Sequence, residues 1–254
     1  MRRRGRMASY LIWVLLAGAV LTVAGYVRSA SDWRSASRES VGIAPDPATT
    51  FEAVVQVYAA RTIGWRGLFG VHTWVAVKPP AAREYTVYEV IGWRLRSSGS
   101  ALVIRHRTPD ARWFGSAPEL IADKRGAGAD ALIGRIDKAA RAYPWAGTYS
   151  LWPGPNSNTF TAWILRAVPE LKADLPPTAI GKDYTGERLI ASAPSGAGVQ
   201  LSVFGLLGIT ASAVEGVELN LLGLTFGVNP FDPALKLPML GRLGPPRVVA
   251  PQSN

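Results

Sequence analysis

The chain of 254 residues contains no cysteine and only two histidines. The absence of cysteine excludes a disulfide framework and a thiol nucleophile. With so few histidines it also argues against a zinc site, because zinc in proteins is held mainly by Cys, His and carboxylate ligands. We therefore expect no metal and no cofactor. A chain without cysteine is compatible with an oxidising compartment but does not require one.

The positive charge is concentrated at the start of the chain. The net charge is +10, but residues 1–30 hold five of the 28 basic residues and no acidic residue. Residues 31–254 therefore carry 23 basic and 18 acidic residues, a net charge of only +5. These basic residues are scattered rather than clustered, so we expect no nucleic-acid partner. Attraction to an anionic envelope polymer or lipid headgroup stays open.

The first 27 residues combine a basic tip with a long apolar run. Residues 1–6 include four arginines, and residues 7–27 are almost continuously apolar. As a helix this run would measure roughly 31 Å, enough to cross the hydrocarbon core of a bilayer. The arginines favour a cytoplasmic N-terminus, which sends the rest of the chain across the membrane. The alternative is a signal peptide cleaved near Ser31 or Asp32, although signal peptides usually have a shorter apolar region.

Composition divides the rest of the chain into three parts. Residues 28–50 are rich in Ser, Ala, Arg and Pro and show no apolar period, which predicts a flexible linker. Residues 51–228 form the candidate domain and are long enough to bury one sizeable core. Residues 229–254 contain six prolines. Because proline cannot donate to a strand ladder, we expect a tail that wraps the domain surface or frays.

Hydrophobic periodicity in the candidate domain predicts strands, then helices, then strands again. Strands are expected at residues 51–58, 71–77, 85–93 and 102–107, helices at 129–143 and 160–168, and further strands at 199–204, 217–221 and 224–228. This order favours an α+β domain with an antiparallel sheet and two or more helices. The apolar residues 201–214 are too few to cross a membrane and are interpreted as a core strand or loop.

A candidate nucleophile lies where the second predicted helix begins. Residues 153–160 read Pro-Gly-Pro-Asn-Ser-Asn-Thr-Phe. The start of a helix has unpaired backbone N–H groups and a partial positive charge, which favour developing negative charge. Ser157 is therefore a candidate nucleophile, with Asn158 or Asn156 as an auxiliary oxyanion donor. The alternative is that Ser157 or Asn156 only caps the helix.

A serine nucleophile needs a base, and the chain offers His72 and His106. His72 lies within a predicted strand, on the face opposite the aliphatic one. His106 lies between two arginines, whose charge disfavours its protonated form. Glu89, in the next predicted strand, is the candidate that orients His72 as the third member of a triad. Two alternatives stay open, namely a hydrogen-bonded core histidine at position 72 and an arginine-paired acid at position 89.

Tryptophan is unusually frequent, with eight residues beyond the apolar N-terminal run. Some of them, including the candidates Trp74 and Trp152, would line a groove for sugar or peptide. The alternative is that they belong to the core, as large aromatic side chains commonly do.

Four segments carry a resemblance to a known family. They begin at His72 (His-Thr-Trp-Val-Ala-Val-Lys-Pro), Tyr88 (Tyr-Glu-Val-Ile-Gly-Trp), Tyr149 (Tyr-Ser-Leu-Trp-Pro-Gly-Pro-Asn-Ser-Asn-Thr-Phe) and Val217 (Val-Glu-Leu-Asn-Leu-Leu-Gly-Leu-Thr-Phe). Through these segments, residues 54–244 resemble the bacterial domain of unknown function 3750 family, which has no assigned activity. Combined with the apolar run, the resemblance implies a single-pass protein of the bacterial inner membrane with a periplasmic domain.

A second resemblance concerns mechanism. Residues 156–160 are similar to the Asn-Cys-x-x-Phe segment of permuted papain-like folds, a group that includes NlpC-type peptidases and lecithin retinol acyltransferases. In those folds a strand histidine precedes the segment, as His72 does here. The resemblance implies a permuted papain-like fold with Ser157 in place of the nucleophilic cysteine. Serine is the weaker nucleophile and needs a stronger base arrangement.

Three functions follow from these observations, and the sequence leaves open whether the protein is an enzyme. The first is a membrane-anchored domain that binds or scaffolds envelope material without catalysis. The second is a serine-dependent hydrolase or acyltransferase acting on peptidoglycan peptides or lipids. The third is a structural subunit of a membrane complex. The expected partners are the lipid bilayer, through the N-terminal helix, and peptidoglycan or another envelope component.

Overall fold

Two sheets and two longer helices make up most of the regular structure in residues 34–247 and 249–253, the part of the chain described by a computed structural model. The predicted α+β class with antiparallel strands is confirmed, but there are two sheets. The predicted membrane anchor, residues 7–27, lies outside the described residues. Among those that are described, no helix is long and apolar enough to span a bilayer.

The first sheet has the strand order β13-β5-β1-β2-β3-β4. Its strands are β1 (Val54–Arg61), β2 (Val71–Lys78), β3 (Thr86–Val90), β4 (Leu102–His106), β5 (Glu119–Arg125) and β13 (Gln252–Ser253). Neighbouring strands are antiparallel, except that β13 runs parallel to β5. Because side chains alternate along a strand, β2 sends Val75 to one face and Trp74 to the other.

One face of the first sheet is covered by the two longer helices. The helices are α1 (Arg66–Phe69), α2 (Leu95–Ser98), α3 (Ala127–Arg141) and α4 (Ser157–Ala167), with 3-10 turns at Gly92–Arg94 and Pro169–Leu171. Ile136 of α3 and Phe160 of α4 are fully buried in the same cluster as Val57 and Val75 of the sheet. This layer is the main hydrophobic core and holds the start of α4 against β2.

The other face of the first sheet carries a smaller core that loops cover. Trp74 stacks on Tyr58 at 5.6 Å, and its indole nitrogen donates to the Pro109 carbonyl at 2.8 Å. The Asp110 carboxylate accepts from the Ser40 hydroxyl at 2.7 Å and from the Ile43 amide at 2.8 Å. The described part of the predicted flexible linker, residues 28–50, is therefore fixed to this face by hydrogen bonds that its composition does not reveal.

The second sheet is a seven-stranded meander in the order β12-β11-β10-β9-β8-β7-β6. Its strands are β6 (Ile190–Ser192), β7 (Val199–Val203), β8 (Leu207–Ser212), β9 (Gly216–Leu221), β10 (Leu224–Asn229), β11 (Ala234–Leu237) and β12 (Gly241–Leu243). The segment predicted as a tail, residues 229–254, thus contributes strands to both sheets. Its six prolines all lie between those strands, where the ladder needs no N–H donor.

The second sheet turns a polar face toward the protein interior. Glu218 accepts from the Lys182 ammonium at 2.5 Å and from the Lys236 ammonium at 2.7 Å. Lys236 also donates to Asp174 at 2.7 Å, and both lysines are 1 % exposed. Buried charges are tolerated when they are paired in this way, so the network fixes which face of the sheet points inward.

Candidate active site

A cleft of about 570 Å³ opens where β2 and β3 separate. The two strands pair only between Val75–Val77 and Thr86–Tyr88, so no strand of the described part of the chain pairs with the start of β2 on that side. The walls are largely aromatic, with contributions from Trp65, Phe69, Trp93, Trp113, Tyr149 and Trp152. Clefts of roughly 300–1,000 Å³ with mostly apolar walls and a few polar groups are typical ligand sites.

Asn156, rather than Ser157, caps α4. The Asn156 side-chain oxygen accepts from the backbone N–H groups of Asn158 at 2.9 Å and Thr159 at 3.2 Å. The Thr159 hydroxyl in turn accepts from the Asn156 backbone N–H at 3.1 Å, which completes a capping box. The capping alternative therefore holds for Asn156 and leaves Ser157 with no such role.

Ser157 is the first residue of α4 and lines the cleft. Its hydroxyl and its backbone N–H make no hydrogen bond with any other described residue. The residue is only 4 % exposed, and that exposed part borders the cleft. A free hydroxyl and a free N–H thus lie side by side at the positive end of a helix.

The predicted auxiliary donors hold the helix in place instead. The Asn158 amide donates to the carbonyls of Val71 at 3.1 Å and Ile180 at 2.8 Å, and its oxygen accepts from Thr73 at 3.0 Å. The Asn156 amide donates to the Ile180 carbonyl at 3.0 Å. Because both amides are occupied, the donor available beside the Ser157 hydroxyl is the Ser157 N–H.

His72 lines the cleft, and Glu89 lies buried behind it. His72 Nε2 lies 3.2 Å from Glu89 Oε2, and the His72 ring stacks on Trp113 with centroids 3.7 Å apart. Glu89 also accepts from Arg105 at 3.0 Å and from Arg107 at 3.3 Å. The carboxylate therefore contacts the imidazole and also pairs with arginines, while its role in a triad stays a prediction.

The protonation of this pair follows from burial and charge. Burial acts to raise the pKa of Glu89, but the His72 hydrogen bond and the guanidinium groups of Arg107 and Arg105 outweigh it and lower the pKa to about 2. Burial lowers the pKa of His72 below its ordinary value of 6.5, against the opposing effect of Glu89. At neutral pH a neutral imidazole then donates through Nε2–H to a charged carboxylate. This tautomer, assigned from the hydrogen bond, leaves Nδ1 as a proton acceptor.

Ser157 and His72 line the same cleft but are not hydrogen-bonded to each other. Thr73 faces α4, because its hydroxyl donates to the Ser157 carbonyl at 3.3 Å. By strand alternation the neighbouring His72 points to the opposite face of the sheet, the face of Trp74. The two groups therefore reach the cleft from opposite sides of β2. The structure has no contact between Nδ1 and the hydroxyl among these described residues, so that contact has to form when ligand binds.

The remaining predicted residues are divided between core and cleft. Trp74 is fully buried in the smaller core and does not line the cleft, whereas Trp152 is 51 % exposed at its mouth. His106 is exposed, lies 3.9 Å from Glu84 and does not line the cleft. It is therefore not positioned to act as the base for Ser157. Arg107 was not predicted as part of the site. Arg105 and Arg107 occupy alternate positions along the segment next to the strand of Glu89, and this spacing could have indicated two cationic partners for that carboxylate. Within the described part of the chain, no group of three or more His, Asp or Glu side chains could hold a metal ion.

Comparison with known proteins adds a family but no activity. The sequence model of the family described as "Protein of unknown function (DUF3750)" matches residues 52–184. The chain belongs to this family. The matched part of the DUF3750 chain contains β1–β5, all four helices and every residue of the candidate site, while the second sheet follows it. No curated protein and no solved structure matches the chain significantly.

Proposed function

We propose that this DUF3750 protein is a serine-dependent hydrolase or acyltransferase acting on peptidoglycan peptides or lipids. One observation carries the proposal. A single cleft is lined by Ser157, with a free hydroxyl and a free N–H, and by a neutral His72 that Glu89 orients through its other nitrogen. The first N–H of any helix is free, so the distinguishing feature is an unbonded serine hydroxyl in the same cleft as an oriented imidazole.

Each of the three residues has one role in the proposed reaction. His72 Nδ1 takes the proton of the Ser157 hydroxyl as its oxygen attacks a carbonyl carbon. The negative charge on the former carbonyl oxygen is stabilised by the Ser157 N–H and the start of α4. The leaving group departs with the proton from His72, and water or an acceptor alcohol or amine then releases the acyl group by the same route. Glu89 keeps the imidazole oriented and stabilises its transient positive charge.

We also propose that residues 51–228 adopt a permuted papain-like arrangement. Its support is the order of the elements, with His72 on a strand before Ser157 at the start of a helix that packs on the same sheet. The pairing of His72 Nε2 with a third residue, which leaves Nδ1 for the nucleophile, agrees with that interpretation.

The location in the cell is part of the proposal. The apolar residues 7–27 and the arginines before them favour a single-pass anchor in the bacterial inner membrane, with the cleft in the periplasm. Cleavage near Ser31 would release the domain instead. The apparent mass of the protein in the membrane fraction, compared with the full 27.2 kDa, distinguishes the two outcomes.

A second candidate function is ligand binding without catalysis. The observation that favours it is the missing hydrogen bond between Ser157 and His72, together with the aromatic walls of the cleft. In this case the cleft holds an apolar part of an envelope component and Ser157 stays unreacted.

Hydrolysis of chromogenic esters and peptide amides by the full chain in mild detergent separates the two functions. Catalysis is supported if the protein hydrolyses one of these probes and Ser157→Ala and His72→Gln each lower kcat/KM by about 100-fold or more. The matched control Ser97→Ala, an exposed serine of α2, should keep full activity. Binding alone is supported if no probe is hydrolysed while the same probes still quench tryptophan fluorescence, and quenching weakens in Trp152→Ala.

A further inference from the structure

The outward face of the second sheet is apolar along three cross-strand rows, except that Ser192 of the edge strand β6 continues one row at its end. The middle row crosses five strands and consists of Ile190, Leu201, Ile209, Leu219 and Phe226. A row of four from Val203 to Leu224 lies on one side, and a row of six from Val199 to Leu243 lies on the other. None of these fifteen side chains is polar or charged.

This face has the composition of a protein core but the exposure of a surface. Leu201, Ile209 and Leu219 in the middle row are 48 %, 46 % and 45 % exposed. The opposite face carries the polar residues, including the fully buried Glu218 and Lys236. The strands therefore alternate in the reverse of the usual sense, with polar side chains inside and aliphatic ones outside.

The buried ion network excludes a simple inversion of the sheet. A shift of one residue would bring the apolar rows inside but would expose or unpair the Lys182–Glu218–Lys236 network. The outward position of the apolar rows is thus fixed by the fold. No described residue covers these rows, so anything that covers them lies outside the described residues.

The size of the face suits a protein interface. On a sheet each outward residue occupies roughly 4.8 Å by 6.8 Å, so fifteen residues cover about 500 Å² before the height of the side chains is added. The largest apolar patch of a typical monomer is about 300–600 Å² in accessible area. The height of the side chains makes the accessible area of the face larger than this footprint. The accessible area therefore approaches the roughly 800 Å² that each partner contributes to a standard interface.

We propose that a second copy of this chain covers the face, so that two seven-stranded sheets pack into a β-sandwich across a two-fold axis. Aliphatic rows that interdigitate about 10 Å apart are what the inner faces of a sandwich consist of. A face without charged side chains can also pack against a second copy of itself, as a two-fold interface requires. The proposal is independent of the chemistry assigned to the cleft.

A lipid surface is the alternative occupant of the same face. The three rows contain only Ala, Val, Leu, Ile and Phe, and Trp152 lies at the border, where its indole nitrogen donates to the Leu222 carbonyl. Because amphipathic side chains at a border also suit a bilayer, the thiol reactivity described below distinguishes the two occupants.

Thiol crosslinking in membranes of cells that express the full chain tests the proposal. The chain has no cysteine of its own, so an introduced cysteine is the only thiol in each copy. β9 is the fourth of seven strands, so the middle-row residue Leu219 lies near the centre of the face and near a two-fold axis that passes through that centre. Leu219→Cys with a bismaleimide of about 10 Å should give a covalent dimer at twice 27.2 kDa. The control Lys138→Cys, exposed on α3, should stay monomeric.

A second substitution tests whether the face itself makes the dimer. Ile209→Lys added to Leu219→Cys should lower crosslinking at least about ten-fold, because it places a charge in the interface. The matched change Phe51→Lys, at an apolar side chain that is 77 % exposed elsewhere, should leave crosslinking unchanged. Neither side chain belongs to a core, so both variants should fold. Their resistance to protease checks this.

Three outcomes overturn the proposal. A folded Ile209→Lys variant that crosslinks as well as its parent shows that the dimer, if any, uses another surface. An uncrosslinked Leu219→Cys variant whose thiol reacts with a lipid-soluble maleimide but not a water-soluble one places the face on the bilayer. A Leu219→Cys variant that gives no dimer and whose thiol reacts with neither reagent shows that another part of the same chain or a different protein covers the face.

Discussion

Glu89 Oε2 lies 3.2 Å from His72 Nε2, although the two residues come from strands that have already separated at this point. The bond fixes the orientation of a buried imidazole and leaves Nδ1 as its free nitrogen. The position of Glu89 is in turn held by two arginines. This arrangement underlies the role of His72 as a base and makes the stability of the protein depend on pH.

The His72–Glu89 pair should lower stability in acid in two stages. The folded pKa of His72 lies below 6.5, so the unfolded chain takes up this proton first and the free energy of unfolding falls as pH drops below about 6.5. Glu89 has a folded pKa of about 2 against an ordinary 4.5, so its contribution is complete above 4.5 and is lost as pH falls toward 2. Urea unfolding between pH 8 and 3 measures both stages. In His72→Gln the first stage should disappear, and an unchanged pH profile in that variant would contradict the assignment.

Asn156→Ala should destabilise the protein by about 1–2 kcal/mol, because it removes the cap of α4. Ser157→Ala, one residue later, removes a hydroxyl without a partner and should change the free energy of unfolding by less than about 0.5 kcal/mol. Urea unfolding of both variants measures the difference. Equal losses in the two variants would show that Ser157 has a structural role after all.

Gly181→Ala should be strongly destabilising, and Gly134→Ala should not. Gly181 has φ +95°, and a Cβ there would clash with the side-chain amide of Asn156. Gly134 lies within α3 with open space around it, so alanine should stabilise the helix by about 0.5–1 kcal/mol. Thermal unfolding of the two variants should shift in opposite directions. A Gly181→Ala variant as stable as the parent would show that the loop around Asn156 is not packed as described.

Lys236→Met should destabilise the protein by about 3–5 kcal/mol. The change leaves Glu218 and Asp174 buried without the ammonium group that bridges them. Burial already raises the pKa of Asp174 to about 6 despite Lys236. The control Glu170→Gln removes an exposed ion pair with Arg135 and should cost no more than about 0.5 kcal/mol. Similar losses in the two variants would contradict a structural role for the buried network.

Local periodicity predicted most of the first sheet and both longer helices. The strand expected at residues 71–77 is β2 (Val71–Lys78), and the helix expected at 160–168 is α4 (Ser157–Ala167). The strand at 51–58 was placed three residues too early, since β1 begins at Val54. β5 was not predicted because its buried residues 121–124 read Ile-Ala-Asp-Lys. Two adjacent charged residues do not fit the apolar alternation by which strands were identified.

The second sheet shows the limit of pattern reasoning. Alternation along residues 217–221 indicates a strand, but it cannot tell which face points inward. The usual assumption buries the aliphatic residues, and here Glu218 and Lys236 are buried in their place through an ion network between distant strands. Proline content likewise suggested a tail at residues 229–254, although prolines between strands are compatible with a sheet.

The candidate site was predictable in its parts but not in its assembly. Ser157 at a helix start and His72 on a strand follow from local pattern, and so does Glu89 as a neighbour in the sheet. That Asn156 takes the capping role, and that His72 and Ser157 approach from opposite sides of β2, depend on contacts across 85 residues of chain. No local rule encodes such contacts.

Peptide mass spectrometry after treatment of the full chain with a fluorophosphonate tests the central claim most directly, because this reagent reacts with activated serine hydroxyls. We expect one covalent adduct, on Ser157, formed at least about 100-fold more slowly in His72→Gln. An adduct at Ser157 that forms equally fast without His72 would contradict the proposed base. A chain that stays unmodified at Ser157 would contradict the nucleophile itself and leave the cleft as a binding site.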